Sequence, residues 1–170
     1  MKTEMLAVYI LVAALVIVPY IAIIVFGSGK GKKLNRRFKE EVKAKGLNIS
    51  EKESWNRHTI GVDKEKQTLV FSQYNEDNSV STAIINLNEL VGVDIFQKNN
   101  VIKVDNKRSE VLDSSGLNLQ LLHDQRQEIR FYDTRVDVAQ NYEREHAEKW
   151  RTLLLSFKKP KNSLKGTVAA

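Results

Sequence analysis

The 170-residue chain has no cysteine, only two prolines and only three histidines. Without cysteine there is no lipoprotein-type anchor and no thiolate metal site, and the absence accords with a reducing compartment. The histidines, His58, His123 and His146, are widely separated. No H-E-x-x-H or G-x-S-x-G motif occurs, so neither a zinc hydrolase nor a nucleophile elbow can be assembled. A phosphate loop is also missing. Lys30 follows Gly29, but the required upstream glycine position holds Ile24, and Gly31 stands where Ser or Thr is usual. Glu143, Glu145 and Glu148, and Asp133 with Asp137, read as a solvated helix face and a helix start rather than as paired acid and base. The chain is therefore expected to be no enzyme, with no cofactor and no metal.

What is present begins with an apolar run. Met5 to Phe26 carries no charge, and as a helix it would span about 33 Å, slightly more than the hydrocarbon core of a bilayer. Pro19 is tolerated in such a helix as a kink. The competing reading, a cleaved signal peptide, suits a shorter apolar stretch of about 7–15 residues. Val25-Phe26-Gly27 is also a poor cleavage site. Residues 5–26 are thus expected to form a single transmembrane helix. Its upstream flank holds Lys2 and Glu4, whereas residues 27–45 hold eight Lys/Arg against Glu40 and Glu41. Basic flanks stay cytoplasmic. The expectation is a single-pass protein of the cell membrane, with residues 1–4 outside and the remaining chain in the cytoplasm.

The charge is segregated. Residues 27–45 carry +6, residues 46–157 carry −4, and residues 158–170 carry +4. A nucleic-acid-binding domain would concentrate basic charge on its folded face, so no nucleic acid is expected, nor a small-molecule substrate. Lys30, Lys32, Lys33, Arg36, Arg37 and Lys39 are the expected contacts to anionic lipid headgroups, each contributing about 1 kcal/mol. The alternative is that they only set topology. Residues 27–53 read as a basic juxtamembrane linker holding a short amphipathic helix, with Leu34, Phe38 and Val42 four apart and Gly46 as its stop. Such a helix could lie on a membrane surface or dock on the domain.

From about Trp55 the period becomes alternating. Ile60/Val62, Leu69/Phe71, Ala83/Ile85/Leu87, Val91/Val93/Ile95, Ile102/Val104, Leu117/Leu119/Leu121 and Ile129/Phe131 give seven short strands. Asn99-Asn100 is expected as a hairpin turn, and Asp105 to Glu110 as a polar loop. An amphipathic helix from Val136 to about Phe157, capped by Asp133 or Thr134, then buries Trp150, Leu153 and Leu154 and ends before Pro160. A lone histidine on that apolar face, His146, reads as a packed, hydrogen-bonded residue. The fold class is thus α+β: a transmembrane helix, then an antiparallel β-sandwich or partly open barrel over residues 54–158 capped by the helix. Residues 159–170 form a basic tail expected to be disordered.

Two segments carry a family likeness: the strand-turn-strand Ile60–Phe71, and the helix Tyr142–Phe157 with Glu148-Lys149-Trp150-Arg151-Thr152-Leu153-Leu154. Seven strands followed by a helix with a buried Trp resemble the pleckstrin-homology-like fold. The resemblance implies binding of phosphoinositides, peptides or other domains rather than catalysis. Lipid-binding members place basic residues around the first hairpin. Lys64 and Lys66 stand there, but the second strand, Gln67 to Phe71, has no arginine. The expected function is a membrane-tethered cytoplasmic binding or adaptor module, contacting a protein partner or the inner leaflet. The alternative is an accessory or assembly subunit of a larger membrane complex.

Overall fold

The structure is a computed structural model that describes residues 29–104 and 107–158, with only the backbone of Gly29, Lys30, Ile102, Val104 and Lys107. A helix α1 (Gly29–Ala44) comes first. Strands β1 (Glu51–Trp55), β2 (His58–Asp63), β3 (Thr68–Tyr74) and β4 (Val80–Asn86) follow, then β5 (Leu90–Val104), β6 (Lys107–Leu121) and β7 (Arg126–Asp133), and finally helix α2 (Glu143–Leu155). The strands make two antiparallel sheets, ordered β1-β2-β3-β4 and β5-β6-β7.

The expected transmembrane helix is corrected here. Among the described residues no helix is long and apolar enough to cross a membrane. The two helices present are short and carry charged faces, and residues 5–26 lie outside the described residues, as do residues 1–4 and 159–170. The described residues thus give no support to a single-pass topology or to a placement in a cell membrane.

Alternation explains the core. Ile60, Val62, Leu69, Phe71 and Ile85 of the first sheet meet Val93, Leu117, Leu119, Ile129 and Phe131 of the second, and Trp150 and Leu154 of α2 close the space between them. Trp55 Nε1 donates to the Phe131 carbonyl at 3.2 Å, joining the end of β1 to β7. Trp150, 1 % exposed, donates through Nε1 to Glu53 Oε2 at 2.7 Å. A tryptophan can be this deeply buried because its one polar atom has an acceptor.

The first sheet is buried on its outer face too. Thr59, Gly61, Val70 and Ser72 alternate with the core residues and yet are buried, because α1 lies across them. Leu34 and Phe38 are 3 % and 2 % exposed, a burial worth about 1.5–3 kcal/mol each. Gly61 makes the docking possible: a Cβ there would stand 2.7 Å from Phe38 Cζ. Hydroxyl pairs, Ser72 Oγ to Thr82 Oγ1 at 2.8 Å and Ser54 Oγ to Thr59 Oγ1 at 3.0 Å, satisfy the polar groups of this face. Helix α1 ends in a Schellman-type cap, with Gly46 at φ +59°, its N–H on the Lys43 carbonyl and the Leu47 N–H on that of Val42. Asp63 then ties the following segment to the β2–β3 turn, accepting from the N–H groups of Asn48 (2.7 Å) and Lys66 (2.9 Å).

Several boundaries differ from the sequence expectation. Residues 51–55 form a strand although only Trp55 among them is apolar and buried, so the expected domain start at residue 54 falls inside β1. Asn99 and Asn100 are not a turn. They pair with Leu112 and Val111 just after a register shift between Lys98 and Asn99, in a ladder that runs on to Val104, and Arg108 to Glu110 lie in β6 rather than in a loop. One strand missed and one divided leave the count at seven. Helix α2 begins seven residues later than Val136, since Tyr142 takes φ 56° and residues 133–137 are held in a turn by Asp133 and Asp137.

Candidate functional site

The exposed flank of α1 forms one wall of a cleft of about 990 Å³. Lys32, Arg36, Lys39 and Lys43 line it from the helix. Their spacing of four, three and four residues keeps them within about 60° of one another around an α-helix. Asn56 and Arg57 of the β1–β2 turn, with residues 137–139, form the opposite wall. Five cations therefore face a cleft whose only carboxylates, among the described residues, are Glu40 and Asp137. Glu40 is shared by Arg36 (3.6 Å) and Arg37 (3.3 Å). Among the described residues Lys32, Lys39 and Lys43 form no ion pair. Burial, and then the positive charge of Lys39, lower the pKa of Lys52, whose Nζ sits 4.9 Å from the Phe38 ring centre. The charge of Lys39 is thus felt at Lys52 on the neighbouring strand β1.

The second wall is rigid because its polar groups are tied down. Asp137 Oδ2 lies 3.0 Å from His58 Nε2 and accepts from the Asp133 N–H at 3.0 Å. His58, 2 % exposed, stacks on Phe71, with ring centres 5.9 Å apart. The Asn56 side chain donates to the Ala139 carbonyl and to Glu143 Oε1, both at 3.2 Å. Val138 stands between these anchors and is 99 % exposed.

A buried histidine–carboxylate pair invites a catalytic reading. His58 Nδ1 and Asp137 Oδ1 are also buried and make no hydrogen bond in the structure. Yet among the described residues no hydroxyl is hydrogen-bonded to either side chain, and His58, at the edge of a smaller cleft, is almost wholly buried. The pair serves to fix the loop. Among the described residues no three His, Asp or Glu converge as metal ligands.

A smaller cleft of about 370 Å³ lies beside His58, lined by Arg130, Arg135, Asp133 and the β3–β4 turn. Its arginines are already satisfied. Arg135 is paired with Asp133 (2.7 Å) and Glu76 (2.9 Å), and Arg130 with Glu128 (2.6 Å) and Asp133 (3.2 Å). The hydrogen bond to Glu128, against the effect of burial, and then the Glu128 charge and the bond to Asp133 hold the Arg130 pKa above its ordinary value. An anion entering there would have to displace carboxylates; in the α1 cleft it would compete with Glu40 at Arg36 but not at Lys32, Lys39 or Lys43, which form no ion pair among the described residues.

Of the six basic residues singled out in the sequence, the structure brings Lys32, Arg36 and Lys39 together in the cleft. Lys33 points to the β3–β4 turn, its Nζ 3.4 Å from the Asn78 carbonyl. Arg37 is on Glu40, and the Lys30 side chain lies outside the description. Lys43, Arg57 and Val138 were missed. The helical period from Lys32 through Lys43 is visible in the sequence and identifies Lys43. Arg57 and Val138 join only because the β1–β2 turn and the 137–139 loop meet in three dimensions. Compared with known proteins, the chain matches no family model, no curated protein and no solved structure.

Proposed function

We propose that this chain is a non-catalytic binding module of the pleckstrin-homology-like kind, and that the cleft between α1 and the β1–β2 turn captures an acidic segment of a partner protein. The family reading is supported by the four-then-three strand order and by a closing helix with Trp150 buried. The binding reading rests on one observation. Five cations surround an open cleft in which Glu40 is the only carboxylate not enclosed by the fold. Carboxylates entering it would find Lys32, Lys39 and Lys43, which form no ion pair among the described residues. Each exposed pair contributes about 0.2–1 kcal/mol and is weakened by salt.

The test is the affinity of the full chain for a glutamate-rich peptide, measured by fluorescence anisotropy. Reversing Arg36 and Lys39 together (Arg36→Glu, Lys39→Glu) should weaken binding by at least about tenfold. Both side chains are exposed, so the unfolding midpoint should hardly move. Undiminished affinity in the double variant would place the site elsewhere.

A further inference from the structure

Charge alone gives this cleft little affinity. Four exposed pairs at up to about 1 kcal/mol each amount to dissociation constants near the millimolar range. A usable partner needs a second source of binding energy, and the wall opposite α1 supplies one. Val138 is 99 % exposed. A solitary exposed valine is ordinary on a protein surface, but this one is held outward by a braced loop. Asp137 before it is locked onto His58 and the Asp133 N–H, and the carbonyl of Ala139 after it accepts from Asn56. The apolar side chain is presented, across the cleft, to whatever the cations hold.

We propose that the occupant is an acidic amphipathic α-helix of a partner protein, its carboxylates on Lys32, Arg36, Lys39 and Lys43 and an apolar residue of its adjoining face on Val138. This rests on the reading of the cleft as the binding site and adds the form of the ligand. The period favours a helix. The four cations span eleven helical rises of α1, about 16.5 Å, with a mean step near 5.5 Å, which a second helix laid alongside repeats. Same-face side chains of an extended strand stand about 6.8 Å apart. Over three steps the mismatch grows to about 4 Å, more than a salt bridge tolerates. A phosphate backbone or a sheet of headgroups would meet the cations but leave Val138 in water. An amphipathic helix satisfies both walls.

The experiment uses the full chain and two labelled peptides of one composition, about 18 residues long. In one, glutamates recur at i, i+4, i+7 and i+11 beside a leucine stripe; in the other, the same residues are scrambled. The ordered peptide should bind about tenfold tighter, the worth of one well-buried valine contact. Val138→Ser, a change at a fully exposed position, should bring it down to the affinity of the scrambled peptide. Equal affinities of both peptides for the unaltered chain would overturn the helix proposal and leave the acidic-segment reading standing. Failure of both peptides to bind would overturn both. Displacement of the ordered peptide by phosphatidylserine vesicles or by a short single-stranded RNA of equal charge, more readily than by the peptide itself, would also overturn the proposal.

Discussion

The two α-helices among the described residues are both amphipathic, yet they do different work. Helix α2 is part of the core. Trp150 and Leu154 fill the space between the sheets, and Glu53 on β1 accepts hydrogen bonds from Trp150, Lys149 (3.1 Å) and, across 3.1 Å, faces His146 Nδ1. Helix α1 is an addition to a sheet that already has its core. It docks by Leu34 and Phe38, the latter over Gly61, and leaves Lys32, Lys39 and Lys43 of its charged flank with no ion pair among the described residues. A helix that closes a core uses its polar face to lock itself in place; a helix laid on an outer face has its polar face to spare. The candidate binding site lies on the second kind.

That contrast can be broken at several points. Trp150→Ala should have the largest effect, about 3–5 kcal/mol of lost stability in denaturant unfolding, because it opens a cavity and strands Glu53. Gly61→Ala should cost about 1–3 kcal/mol by forcing Phe38 aside. Its signature should be faster hydrogen exchange confined to α1. In a double-mutant cycle Phe38→Ala should cost less in the Gly61→Ala background than alone.

Acid should separate the helices next. Burial works to raise the Glu53 pKa, but the hydrogen bonds of Lys149 and Trp150 and the charge of His146 outweigh it, and the carboxyl titrates below the ordinary glutamate value. A depressed folded-state pKa means that the stabilisation is complete above the unfolded value and is lost as pH falls through the folded one. Unfolding followed below about pH 4.5 should therefore lose this contribution in the native chain, whereas Glu53→Gln, about 1 kcal/mol less stable at neutral pH, should show a flatter acid limb. The smallest effect belongs to the cleft: Val138→Ser should leave stability within about 0.5 kcal/mol.

The same contrast explains what could be read from the chain. The alternations Ile60/Val62, Leu69/Phe71 and Leu117/Leu119 identify strands because one face is buried, and the position of Trp150 on the last helix marks its buried side. β1 escaped notice because Glu51-Lys52-Glu53-Ser54 are polar residues whose partners lie far away in sequence: Glu53 meets Trp150, and Lys52 meets Asn35 (2.7 Å). Asn99 and Asn100 suggested a turn because asparagine tolerates positive φ, but the long register of β6 against β5 prevailed over that local preference. The apolar run at residues 5–26 drew the reading toward a membrane span, and the basic residues after it were assigned to lipid headgroups on that ground. Their helical period was legible, but the wall they face was not, since it is assembled from residues thirteen positions away at the nearest and more than a hundred at the farthest.

The measurement that tests the account most directly is hydrogen–deuterium exchange of the full chain with and without the ordered acidic peptide. Protection should appear together on residues 32–43 and 137–139, with α2 unchanged. Protection confined to α2 or to the β5–β6 hairpin, with the two cleft walls unaffected, would contradict it.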